Sequence, residues 1–193
     1  MEVFYEESSK VQSRKSSSIK YYLIKTLSVL SYIIAGVWAF LILYLYPFGE
    51  GNILVNIVIT LLPFLIFIMC GIIMGIIKNK FYIDYDYTFI SGEVRISKVI
   101  KEIKRINVLE FQCDDIEKVG KFDSATYQRY ESMPGISKKI FTSNNVAEDD
   151  KDFYYIVVNS NGKNLFIFEC SETFISNVLK FSKRNVLEED FNK

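Results

Sequence analysis

The sequence predicts an α+β protein: a two-helix transmembrane hairpin followed by an antiparallel β barrel or sandwich closed by a C-terminal helix. Three observations carry this. Two long uncharged apolar runs, Thr26 to Gly49 and Gly51 to Ile77, are separated only by Glu50. A period-two alternation with hairpin turns follows from residue 80 onward. A single amphipathic stripe closes the chain after Ser171.

The apolar runs come first. A helix needs about 20 apolar residues to cross a bilayer core, and each run is long enough. Pro47, Gly49, Glu50 and Gly51 mark a turn between them, so the spans are set at 26–48 and 52–77 within a hairpin covering 26–77. A cleaved signal peptide is the competing reading for the first run. Its apolar core of roughly 7–15 residues is much shorter than this one, and no second run would follow it at once. Lys10, Arg14, Lys15, Lys20 and Lys25 precede the spans, and Lys78 and Lys80 follow them. The connecting loop has no basic residue, so the positive-inside rule puts both termini in the cytoplasm of a multi-pass inner-membrane protein. Tyr21, Tyr22, Tyr44, Tyr46, Phe48, Phe81 and Tyr82 lie where aromatic belts belong. Residues 1–25 read as a basic cytoplasmic segment whose interleaved serines suit either a topology signal or an anionic leaflet.

Small residues recur at helical spacing. Ser31, Ala35 and Ala39 form a stripe on the first span, and Gly71 and Gly75 form one on the second. They are read as an intramolecular helix-packing seam, with homodimerisation the alternative. Pro63 is expected to bend the second span, and Asn52 and Asn56 to lie near its outer end. No acid or base lies inside either span, which argues against an ion path.

Residues 78–187 read as the cytoplasmic domain. Phe81, Ile83, Tyr85, Tyr87 and Phe89 alternate with Tyr82, Asp84, Asp86, Thr88 and Ile90, giving one aromatic and one mainly polar face. Ser91-Gly92 suits a two-residue turn, which sets Phe89 opposite Val94 and Tyr87 opposite Ile96. A slip by one residue would destroy that agreement. A charged turn at 101–105 leads to a third strand, Ile106 to Cys113. Asp114 to Val119 reads as a turn or short helix closed by Gly120, and 121–152 is weakly patterned apart from a strand at Ser137 to Thr142. Phe153 to Val158 and Leu165 to Phe168 form a second hairpin, with Asn161-Gly162 favouring a type I′ turn. Ser171 caps a helix assigned to 171–185, whose stripe is Phe174, Ile175, Val178 and Leu179, with Phe181. The charged tail, 188–193, is expected to fray.

That order of elements is similar to a pleckstrin-homology (PH)-like domain. The chain resembles a family of small bacterial membrane proteins that pair two N-terminal spans with a PH-like cytoplasmic domain of unknown function. The resemblance rests on the two spans, on Asp84 to Lys98 and on Asp114 to Gly120; residues 121–152 add little. It implies fold and topology and carries no catalytic residue.

Composition limits the chemistry. The 23 basic and 23 acidic side chains cancel, so a nucleic-acid footprint is not expected. The absence of histidine removes His-dependent triads, imidazole metal ligands and the usual proton shuttle. The three cysteines, at 70, 113 and 170, form no CxxC pair and suggest neither a zinc site nor a disulfide framework. No cofactor is indicated.

Asp84 and Asp86 point the same way on a strand and read as a solvated face, with Arg95 the cross-strand partner of Asp86. Lys98, Lys101, Lys104 and Arg105 are the candidate phosphate or lipid contacts, with an ordinary charged turn as the alternative. The Ser91-Gly92 turn is too short to form the headgroup-binding loop the resemblance would imply. Asp114, Asp115 and Glu117 lack the spacing of a calcium loop. Tyr127, Tyr130, Met133, Tyr154 and Tyr155 suit either an exposed contact surface or the core. The reading is a non-catalytic, membrane-anchored module that binds or scaffolds another protein. An anionic-lipid sensor and an accessory subunit of a transport or envelope complex are the alternatives.

Overall fold

The computed structural model describes residues 3–45, 53–160, 162–183, 185–189 and 191. The chain forms two compact units, Ser13–Tyr82 and the combination of Met1–Gln12 with Ile83–Lys193.

The first unit is a helix pair, α1 (Arg14–Leu45) and α2 (Ile53–Ile77), followed by a 3-10 turn at Lys78–Lys80. Both helices are long and apolar enough to cross a membrane. The expected connection around Pro47, Gly49, Glu50 and Gly51 lies outside the described residues, with Tyr46, Phe48 and Asn52, as does the side chain of Asn56. Helix α2 is continuous through Pro63. Ser28, Ser31 and Ala35 are buried. The Ser28 hydroxyl donates to the Gly71 carbonyl at 2.7 Å, and the Ser31 hydroxyl to the Phe67 carbonyl at 2.7 Å. Apolar surface gains little from pairing in lipid, so close backbone approach and such bonds hold helices together. Gly71 permits the approach: a Cβ there would lie 2.7 Å from the Tyr32 ring. Gly75 sits beside Ser28, and both Gly75 and Ala39 are half-buried.

The second unit holds two four-stranded sheets. The first runs in the order β1 (Phe4–Ser9), β2 (Ile83–Ile90), β3 (Glu93–Ile100), β4 (Lys104–Gln112). The second runs β5 (Ile116–Lys121), β7 (Asp152–Asn159), β8 (Lys163–Cys170), β6 (Ser137–Ile140). Helix α3 (Ala125–Glu131) follows β5, and α4 (Glu172–Phe181) follows β8. The β2–β3 register pairs Phe89 with Val94 and Tyr87 with Ile96. Ser91 and Gly92 both take positive φ, the backbone a tight right-twisting hairpin turn requires. The main core gathers Tyr87, Phe89, Val94 and Ile96 with Tyr154, Ile156, Phe166 and Phe168, plus Phe174, Ile175 and Val178 of α4. A smaller cluster packs Tyr127 of α3 against Tyr155, Val157, Leu165 and Ile167. β7 and β8 are thus buried on both faces, which is why they read as nearly continuous apolar runs.

The structure corrects several expectations from sequence. Residues 1–25 are not one basic segment. Residues 4–9 form β1, antiparallel to β2, and α1 starts at Arg14, because no breaker interrupts the run into the apolar span. The third strand is Lys104–Gln112, and the residues after it are a 3-10 turn, Cys113–Asp115, followed by strand β5. Strand β6 pairs with β8 in parallel, unlike the other strand pairs, since β7 lies between them in sequence, runs back, and lets β8 return in the direction of β6. The second hairpin pairs Asn159 with Lys163, leaving three residues in its loop; the expected type I′ turn falls on Asn161, outside the described residues. Helix α4 ends at Phe181, with Ser182 already extended.

The tail does not fray at Glu188. Val119 N–H donates to the Val186 carbonyl at 2.7 Å and Glu188 N–H to the Val119 carbonyl at 2.9 Å, which adds a short parallel bridge outside β5. The buried Glu188 carboxylate accepts from the Tyr155 hydroxyl at 2.9 Å, the Ser124 hydroxyl at 2.8 Å and the Lys121 N–H at 3.2 Å. Gly120 leaves room for it: a Cβ there would overlap the Glu188 carboxylate and stand 2.6 Å from the Tyr155 ring.

Candidate functional site

The chain leaves the domain after Gln12 and re-enters it at Ile83. Both points lie at one end of the first sheet. Ile83 pairs with Ile100, the last residue of β3, and Ser9 pairs with Tyr85. The β3–β4 turn, residues 101–103, therefore sits beside the point of re-entry. Lys101 and Glu102 both take positive φ there, and Ile103 N–H closes the turn on the Ile100 carbonyl at 3.1 Å. The geometry leaves the Ile103 side chain 81% exposed.

The loop after β6 is fastened to the same end. The Ser143 hydroxyl donates to the Ile83 carbonyl at 2.7 Å. The Asn144 amide donates to the Lys10 carbonyl at 2.8 Å and its oxygen accepts from Gln12 N–H at 3.0 Å. The Gln12 side chain donates to the Val146 carbonyl at 3.0 Å, and Lys10 N–H donates to Glu148 at 3.3 Å. One loop thus grips both chain connections, and it presents Val146 with 69% of its surface exposed.

A fully buried carboxylate organises this rim. Glu169, near the end of β8, accepts from the Ser9 hydroxyl at 2.6 Å, from the Thr142 hydroxyl, from the Asn144 amide at 2.9 Å and from Glu148 N–H at 2.9 Å. A buried charge is tolerated only when its lone pairs are met by donors. Here those donors come from β1 and from the loop, so satisfying Glu169 fixes both. Lys151 adds a second tie, donating to the Ser8 carbonyl at 2.7 Å and to Glu148 at 2.6 Å. Further along the same face of β1, the Glu7 carboxylate accepts from Ser171 N–H at 2.9 Å and the Ser171 hydroxyl at 2.7 Å, at the N-terminus of α4. A carboxylate there meets unsatisfied amides and the positive end of the helix dipole.

The candidate residues from sequence distribute as follows. Asp84 and Asp86 are buried, not solvated. Asp84 accepts from Val11 N–H at 2.8 Å, and Asp86 pairs with Arg105 at 2.7 Å rather than with Arg95. Arg95 instead binds Glu93 and approaches Glu110 at 3.5 Å. The four basic residues near the turn do not converge. Lys98 faces Ile106 and Lys104 faces Ile100 on one side of the hairpin; Arg105 faces Val99 on the other, engaged by Asp86 and, at 3.8 Å, by Glu6. Lys101 stands in the turn itself. Tyr127, Tyr154 and Tyr155 are core residues, Tyr130 is half-buried, and Met133 is exposed. Burial pushes the Cys113 thiol up to about 12 and the Cys170 thiol well above its ordinary range, so both stay protonated near neutral pH. Among the described residues no group of three or more Cys, Asp or Glu could hold a metal ion. A cleft of about 440 Å³ opens beside the loop, between Phe122, Ile140, Phe153 and Ile167.

Sequence reasoning missed Glu169, Glu188 and Glu7. A signal for Glu169 was present: it stands in a strand whose two faces are both apolar, so either direction buries it.

No curated protein and no solved structure matches the chain. A family profile described as a bacterial PH-like domain (DUF6106) matches residues 1–188, which takes in both the helix pair and the two-sheet domain. The chain therefore belongs to this family of bacterial PH-like domains.

Proposed function

We propose that the chain is a membrane-anchored, non-catalytic binding module that holds a PH-like domain on the cytoplasmic face and recruits a protein partner to it. The observation that carries this reading is β4. It is one of the two outer strands of the first sheet, and it is exposed over nearly its whole length. Ile106 and Val108 are among its exposed side chains. An outer strand offers unpaired backbone groups to an incoming extended segment, with alternate side chains giving specificity. Between Asn107 and Leu109 the register to β3 shifts, so Val108 has no residue opposite it. Such a bulge bends an edge and restricts which strands can add.

The basic residues around the helix pair support the cytoplasmic placement. The test is photo-crosslinking in membranes from position 108 of the full chain, with position 133 as an equally exposed control. A single protein adduct formed from 108 and absent from 133 is expected. No adduct from 108, or the same adducts from both positions, contradicts the reading.

A further inference from the structure

We infer that the two aliphatic tips of the rim, Ile103 and Val146, enter the headgroup–acyl boundary of the bilayer and seat the domain on it. The inference rests on the reading that α1 and α2 cross a membrane. Only three described side chains of the domain's large hydrophobics are more than three-fifths exposed: Ile103 at 81%, Val146 at 69% and Phe4 at 64%. Two of these three stand where the chain passes to and from the helix pair. Ile103 is in the turn beside Ile83, and Val146 is in the loop bonded to Gln12 and Ile83. Phe4 pairs with Ile90 at the opposite end of the sheet. Seven residue steps along β2 at about 3.3 Å each put it roughly 23 Å away.

Exposed aliphatic side chains are costly in water and favoured at an interface. Both tips are held by hydrogen bonds, so little ordering remains to be done on contact. Lys104 beside Ile103 and Lys10 beside the Asn144 loop are exposed and can extend their ammonium groups to headgroup level. Glu102, Glu148, Asp149 and Asp150 lie in the same two segments, and Lys101 shares the turn. Charge at the rim is thus nearly balanced, and apolar insertion rather than electrostatic adhesion carries the contact.

The chain has one tryptophan, Trp38, in α1. This permits a test with the full chain in phosphatidylcholine–phosphatidylglycerol vesicles carrying brominated acyl chains. Trp38 fluorescence reports whether the helix pair lies in the bilayer. In a Trp38→Phe background, Ile103→Trp, Val146→Trp and Phe4→Trp report the two tips and the far end. Native protection of Cys113 and Cys170 from alkylation verifies folding of each variant. The expected result is quenching of Trp38 by deep bromines, and quenching of the probes at 103 and 146 by shallow bromines with blue-shifted emission. These effects persist at high salt, and the probe at 4 is quenched by aqueous iodide alone. If Trp38 is quenched but the probe at 103 or 146 is not, the inference is overturned while the membrane reading stands. Protection of both probes from iodide without lipid quenching assigns the rim to a protein contact and also overturns it. An unquenched Trp38 overturns the membrane reading and the inference together.

Discussion

Replacing Glu169 with alanine is the sharpest perturbation of the domain. It removes the acceptor for four donors at once: the Ser9 hydroxyl, the Thr142 hydroxyl, the Asn144 amide and Glu148 N–H. Hydrogen bonds to a charged group contribute about 1.5–3 kcal/mol each, and a buried donor left unpaired costs about 1–3 kcal/mol. Ser9 is buried and cannot turn to water, so it takes the larger share, about 1.5 kcal/mol. Thr142, Asn144 and Glu148 are half-buried and can be partly rehydrated, at about 0.5–1 kcal/mol each. The total is about 3–4 kcal/mol, a large part of the roughly 5–15 kcal/mol typical of a domain. Glu169→Gln keeps the shape but turns a donor toward donors, and about half the loss is expected. The assay is pulse alkylation of the native thiols of the full chain in detergent across a urea series. Cys113 and Cys170 are buried and protonated, so they react only when the core opens. Loss of about 3 kcal/mol raises the open fraction about 100-fold, at 1.36 kcal/mol per decade. Amide exchange in 141–148 should accelerate with it. A shift below about 0.5 kcal/mol, with exchange in that loop unchanged, would refute the assignment of Glu169 as the organiser of the rim.

Three further outcomes are expected. Gly120→Ala should destabilise the domain by about 2–3 kcal/mol and expose the tail at Glu188 to exchange, because the new methyl overlaps the Glu188 carboxylate; limited proteolysis after residue 185 checks it. Gly71→Ala should force Tyr32 off α2 and loosen the helix pair, while Ser28→Ala and Ser31→Ala should each cost about 0.6 kcal/mol; thermal dissociation of the pair in micelles ranks the three. Stability should be flat from pH 6 to 8 and fall above about pH 9. The Cys113 thiol titrates near 9.0 when unfolded but is raised to about 12 in the fold, so above pH 9 the unfolded chain releases a proton that the native one retains. Tyr154 and Tyr155 are shifted upward by burial too and steepen the fall at higher pH. Cys170, raised by burial as well, adds to the same fall. Urea midpoints at stepped pH measure this, and Cys113→Ala should make the part between pH 9 and 12 shallower without abolishing it.

Legibility in the sequence followed locality. The β2–β3 hairpin was readable because its turn and its alternation agree over eight consecutive pairs, Ile83 opposite Ile100 through Ile90 opposite Glu93. The helix pair was readable because a bilayer demands length and apolarity, both local quantities. Strand β1 was not, since Tyr5, Glu7 and Ser9 on its inner face are polar and find their partners in Ser171 and Glu169, some 160 residues away. No window of sequence contains that satisfaction. β5 was hidden by Asp114, Asp115, Glu117 and Lys118 around its two inward residues, Ile116 and Val119. The tail looked solvated because Glu188 is charged, yet its partners Ser124 and Tyr155 come from elsewhere in the fold. The basic cluster looked coherent in sequence, but side chains alternate across a strand, so Lys104 and Arg105 point to opposite faces of the hairpin. Sequence proximity alone could not make it one site.

We propose that the exposed β4 edge of an anchored domain recruits a protein. This is tested most directly by crosslinking the full chain in its native membrane and co-purifying it beside a Val108→Lys chain. An inward-free lysine on an edge strand opposes strand addition without touching the core. A stoichiometric partner is expected with the native chain and is lost with Val108→Lys, both chains being folded by thiol protection. A partner retained undiminished by Val108→Lys, or none captured by either chain, would contradict it.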